Sequence, residues 1–183
     1  MSPRVILFDA PDRFVAGTVG QPGDRTFFLQ VQQGSRLVSV SLEKTQVQAL
    51  AERLSFMIRE IKQSDPTILI QRYPKDDRPL ASPIEDEFRV GLIGLAFDAV
   101  SQLIQIDLQA VSESQGQQGE LIDIEELGVD QDIVRIHISV GVADAFAKRA
   151  ISVVSAGRAP CPFCGGPIDL RGHLCPRANG YRR

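Results

Sequence analysis

The sequence predicts an α+β fold: duplicated β-β-β-α units forming a largely antiparallel sheet with two helices on a face, plus a C-terminal zinc-knuckle or ribbon-like tail. Three observations predict it. Short runs alternate apolar and polar residues with period two, and each set of runs ends in a segment whose apolar residues recur every three to four positions. Short motifs recur in the same order along the two halves of the chain. All three cysteines and one of the two histidines gather between residues 161 and 175.

The first element is a strand over residues 4–8, able to pair at a sheet edge. Copy one follows, with strands at 13–19, 25–32 and 36–42. They are separated by the turn signals Gln21-Pro22-Gly23-Asp24 and Gln33-Gly34-Ser35. A helix over about 43–63 then carries Val47, Leu50, Ala51, Leu54, Met57, Ile58 and Ile61 on one face, with charged residues mainly on the other. Residues 64–83 hold four prolines and read as an ordered linker with a short strand near 68–71. Copy two places strands at 87–97, 102–111 and 133–140 and a more buried helix at about 142–155. Between them, residues 120–132 are strongly acidic and suit a short helical turn.

The repeat rests on three matches. Phe14-Val15-Ala16-Gly17-Thr18-Val19-Gly20 recurs at Phe88 to Gly94, an offset of 74 residues. The strand 38–42 recurs at 134–138 and the helical stretch 48–53 at 144–149, both at an offset of 96. The larger offset implies an insertion of about 22 residues, placed at the loop 112–119. Gly17, Gly20, Gly91 and Gly94 lie inside strand patterns, where glycine marks bulges or close backbone approach. The spacing F-x-x-G-x-x-G neither opens a helix nor matches a dinucleotide fingerprint.

A chain of 183 residues, 43% hydrophobic and 23% charged, can bury a substantial core. It divides into a duplicated α+β domain at 1–157 (copy one about 4–63, linker about 64–83, copy two about 84–157) and a tail at 158–183. The N-terminus offers four consecutive apolar residues, Val5 to Phe8, before Asp9, too few for a secretory signal, and no stretch reaches membrane-span length. The expected location is cytoplasmic.

In the tail, Cys161 and Cys164 form C-x2-C; eight residues later His173 and Cys175 form H-x-C. Cys3His is a standard structural zinc set, and four protein ligands leave no open position for catalysis. In Cys161-Pro162-Phe163-Cys164-Gly165-Gly166 a tight turn presents two thiolates, while His173 and Cys175 point to one side of an extended segment. An odd cysteine count with no secretory signal argues against a disulfide framework. The expected cofactor is structural Zn2+ on Cys161, Cys164, His173 and Cys175, with no catalytic residue and no other cofactor assigned.

The formal net charge of −3 divides into +4 over residues 158–183 and −7 over residues 1–157. A basic tail on an acidic body can meet phosphates or an acidic partner, or can dock on its own body.

Phe8-Asp9-Ala10-Pro11-Asp12-Arg13-Phe14, Arg25-Thr26-Phe27-Phe28-Leu29-Gln30, Glu87-Phe88-Arg89-Val90-Gly91, Ala145-Phe146-Ala147-Lys148-Arg149-Ala150 and Gly172-His173-Leu174-Cys175-Pro176-Arg177 together resemble an uncharacterised, mainly actinobacterial domain-of-unknown-function family, family 3090. The resemblance spans nearly the whole chain. It implies a cytosolic bacterial protein ending in a Cys/His zinc-type motif, and it brings no activity or catalytic residues.

Other residues invite chemistry and have structural alternatives. Asp9, Asp12, Glu85, Asp86, Glu87 and Asp98 flank strand ends and could converge on a divalent cation or act as an acid/base pair, although aspartates commonly form turns. His137 alternates with apolar neighbours and projects with Arg135 from the sheet face opposite the core. Lys44 and Thr45 open the first helix, where they could bind an anion or Thr45 could simply cap it. Phe163 and Tyr181 could stack on bases. The leading expectation is a non-enzymatic binding or adaptor protein with a protein partner; the alternatives are nucleic-acid binding through the tail and an enzyme with a site between the copies.

Overall fold

The computed structural model describes residues 3–112, 120–124, 128, 130–157, 161–166, 168 and 173–177. The order is β1 (Val5–Asp9), β2 (Arg13–Gln21), β3 (Asp24–Gln33), β4 (Arg36–Leu42), α1 (Lys44–Ser64), β5 (Asp86–Asp98), β6 (Leu103–Ala110), β7 (Glu120–Asp123), β8 (Ile133–Ser139) and α2 (Val140–Ser155). The protein is therefore α+β. The predicted strand at residues 68–71 does not form; that segment joins no ladder, though Ile68 and Ile70 pack on the core. The acidic stretch begins as a strand, β7, paired parallel to β5. The expected insertion loop lies largely outside the described residues.

The sheet runs β1-β8-β6-β5-β4-β3-β2, with β7 added on β5. Antiparallel hairpins β2–β3–β4 and β5–β6, continued by β8, alternate with parallel pairs β1–β8 and β4–β5, so the sheet is mixed and largely antiparallel. Laid flat, its seven strands would separate β1 from β2 by roughly 29 Å at about 4.8 Å per strand. Yet only residues 10–12 join β1 to β2, and Asp9 to Arg13 can span at most about 14 Å. The sheet therefore curls until its two ends approach.

Side chains alternate across it. One face sends Phe14, Leu29, Val40, Ile93, Ile106 and Ile136 into the core with Leu50, Leu54, Phe146 and Ala150 of the helices. The other carries buried polar residues, Gln30, Ser39, Asp107 and Gln109. Gln30 donates to the Ala81 carbonyl (2.9 Å) and accepts from its N–H (2.7 Å), so the strap of residues 65–85 covers that face.

Helix α1 begins two residues earlier than Thr45 capping requires. Glu43 is the N-cap, and its N–H donates to the Gln46 side chain at 2.9 Å. The Gln46 amide in turn donates to the Val90 and Gly91 carbonyls, both at 3.2 Å, fixing α1 to β5. There the ladder shifts register between Val90 and Leu92, and a Cβ on Gly91 would stand 2.8 Å from the Val111 backbone. Helix α2 is capped by Ser139, whose hydroxyl accepts from Val142 N–H at 3.3 Å.

The two N-caps, Glu43 and Ser139, stand 96 positions apart, as do Val38 and Val134, which face Val31 and Leu108 in their ladders. The match at an offset of 74 is out of register. Phe14 faces Val31, and the β5 residue facing Leu108 is Ile93, whereas Phe88 precedes the β5–β6 ladder.

Candidate functional site

The tail turns tightly after Cys161. Gly165 N–H donates to the Cys161 carbonyl (2.8 Å), Cys161 N–H donates to Gly166 (2.7 Å), and Gly165 adopts φ +73°, a conformation that disfavours side chains. That turn puts the Phe163 N–H 3.4 Å from Cys161 Sγ. His173 and Cys175 lie alongside.

Cys161, Cys164, His173 and Cys175 offer four ligand atoms within 4.8 Å of one another. All three thiols are free, and Cys161 and Cys175 are buried. Their sulfurs stand 3.8 Å apart. That is far beyond a disulfide bond, and it equals the edge of a tetrahedron, about 3.8 Å, built on Zn–S bonds of ~2.3 Å. Cys164 Sγ lies 3.2 Å from His173 Nε2. The cluster can therefore hold a metal ion, and its donor set suits a soft or borderline cation.

Backbone amides already favour thiolate at one corner. The Cys164 N–H, with that of Phe163, holds the Cys161 thiol below its ordinary value against the cost of burial. Cys164 moves the other way. The Gly166 N–H pulls it down, but burial and the adjacent Cys161 and Cys175 sulfurs together push it up. Crowded thiols resist shared ionisation, and a bound cation reverses that preference.

The strand-end carboxylates do not converge. Asp12 accepts the Gly34 N–H (2.6 Å), Asp86 accepts the Ser41 hydroxyl (2.5 Å), and Glu87 pairs with Arg4 (2.5 Å). Asp98 accepts Ser101 and Val100 within its own turn, which lowers its carboxyl from the ordinary value. Glu85 is exposed. Only Asp9 meets another candidate: it accepts from His137 Nδ1 at 2.5 Å, while His137 Nε2 lies 3.3 Å from Gln105. His137 does project opposite the core with Arg135, which pairs at 2.6 Å with the fully buried Asp107. This row links strands through polar side chains and contains no nucleophile. Lys44 is exposed; Phe163 is 64% exposed; Tyr181 lies outside the described residues.

A second constellation was not anticipated. The strap folds over α2 and β2 through Asp76, which accepts from Arg13 (2.7 and 3.1 Å), Arg78 (2.6 Å) and Arg149 (3.5 Å). Arg149 also donates to the Ala16 carbonyl at 2.7 Å and to the Asp76 carbonyl, and Arg13 to the Arg78 and Pro79 carbonyls, both 3.0 Å. One signal was visible in the sequence: Arg149 interrupts the apolar face between Phe146 and Ala150.

Among described residues, no helix is long and apolar enough to cross a membrane. A family model described as a protein of unknown function, DUF3090, matches residues 6–175, a span that starts in β1 and ends on the last cysteine of the cluster. No curated protein and no solved structure matches the chain.

Proposed function

We propose that this chain, which belongs to the DUF3090 family, is a cytosolic bacterial zinc protein that acts by binding a protein partner rather than by catalysis. The observation that carries it is the closed Cys3His cluster with its 3.8 Å sulfur separation. Zinc there would staple the tail and stabilise its thiolates, and four protein ligands would leave it no substrate position. The body at residues 1–157 is a unit of its own, built from a duplicated β-β-β-α element. Supporting this, the N-caps and the paired strands before them repeat at 96 positions. The tail presents Phe163 and Leu174, 64% and 88% exposed, beside the metal ligands, a contact surface of the kind that protein partners cover.

Elemental analysis of protein purified without added metal tests the reading. One zinc per chain, lost in Cys164→Ser, is expected; no zinc in the wild type, or full zinc in the variant, rejects it. Nucleic-acid binding would replace the protein partner if labelled single-stranded RNA shifted at low salt and a 1–157 truncation abolished the shift.

A further inference from the structure

Between residues 10–12, the start of β2, the strap and the first turns of α2 lies a cavity of about 680 Å3. Sites that enclose small ligands span roughly 300–1,000 Å3. It sits where the curled sheet brings its ends together. Its floor is apolar. Phe14 and Phe146 stack with centroids 4.2 Å apart, and Leu103, Ile138 and Val142 extend the surface.

The rim is charged and unbalanced. Arg13, Arg78 and Arg149 share one carboxylate, Asp76, while Lys75 pairs with Asp77 at 2.9 Å and Asp12 is engaged by the Gly34 N–H. Arg13 and Arg149 side chains are only 10% and 8% exposed. Guanidiniums so far from water need counter-charge, and their planar forks match a carboxylate. Across the lining, four cations face three carboxylates. A monoanion neutralises that excess of one, whereas a phosphate dianion would overshoot it.

We infer that this cavity binds a small amphipathic carboxylic acid, its carboxylate beside Arg13, Arg78 and Arg149 and its hydrocarbon on Phe14 and Phe146. Buried cations beside an apolar pocket carry information that a purely structural strap would not require, since Asp76 alone could tie the strap with a single arginine.

Calorimetric titration of the full chain with hexanoate, octanoate and decanoate below their micellar concentrations tests this, with 1-octanol as the uncharged control. Saturable one-to-one binding is expected, tightening about fourfold per added methylene. Octanol should bind at least tenfold more weakly than octanoate. Ala145→Phe, which fills the cavity from α2, should weaken decanoate at least tenfold. Arg78→Gln alters a side chain 74% exposed, and should weaken decanoate about threefold while leaving octanol unchanged. Absence of saturable binding, equal affinity for octanol and octanoate, or undiminished decanoate binding by Ala145→Phe would each overturn the assignment.

Discussion

At the scale of single residues, Asp76 decides how the strap is held. Hydrogen bonds from Arg78 and then Arg13 outweigh burial and keep its carboxyl far below the usual carboxylate range. A group with a depressed folded pKa stabilises above its unfolded value, here 3.8, and that contribution disappears only as pH falls below it. Asp76→Asn is therefore expected to cost about 2 kcal/mol, the scale of hydrogen bonds to charged groups. Urea midpoints should show the gap unchanged from pH 8 to pH 5 and narrowing only below about pH 4. A gap that closes near neutrality would mean another group controls the strap. None of this was legible in residues 64–83. Their prolines announce an ordered path, but the partners Arg13 and Arg149 lie over 60 residues away along the chain. The metal cluster is the opposite case, because its four ligands fall within 15 residues and spacing alone exposes them.

At the scale of elements, α2 sets helix propensity against packing. Gly141 lies in its first turn, where alanine would ordinarily gain up to about 1 kcal/mol. A Cβ there would fall on the Gln71 carbonyl oxygen and against the Tyr73 ring, so the strap would have to move. Backbone does not yield cheaply, and overpacking of this kind costs about 1–3 kcal/mol. Gly141→Ala is expected to lower the thermal midpoint despite its better propensity; a rise would show that the strap is loosely seated. The same contrast explains which elements could be read from sequence. The sequence pattern marks β4 to the residue, since Arg36–Leu42 alternates cleanly between turns, and α1 nearly so, because its apolar face repeats over about four turns. Strand β7 has four residues, two of them acidic, and exists through its parallel ladder to β5, a tertiary fact no local pattern announces.

At the scale of the whole molecule, the short joint between β1 and β2 makes closure depend on the chain's first strand. Phe8 is fully buried, and β1 supplies the outer partner of β8 from Val5 to Asp9. The curl itself was hidden in the sequence: alternation fixes faces, whereas strand order arises from long-range pairing. Cys161 and Cys175, although buried, stand apart from the apolar cluster that joins the sheet to the helices. The two ends of the chain should therefore differ sharply in what they hold together. Deleting residues 1–9 leaves the outer edge of β8 unpaired and a cavity where Phe8 stood, a loss of at least about 3–5 kcal/mol from the aromatic ring alone. That protein is expected to lose cooperative unfolding. Deleting residues 158–183, or removing metal with a chelator, should shift the thermal midpoint of the body by no more than about 2 °C, because a core is weakened mainly by losing its own contacts. If chelation instead unfolds the body cooperatively, the metal is part of the domain rather than a staple on its tail, and the division at residue 157 fails.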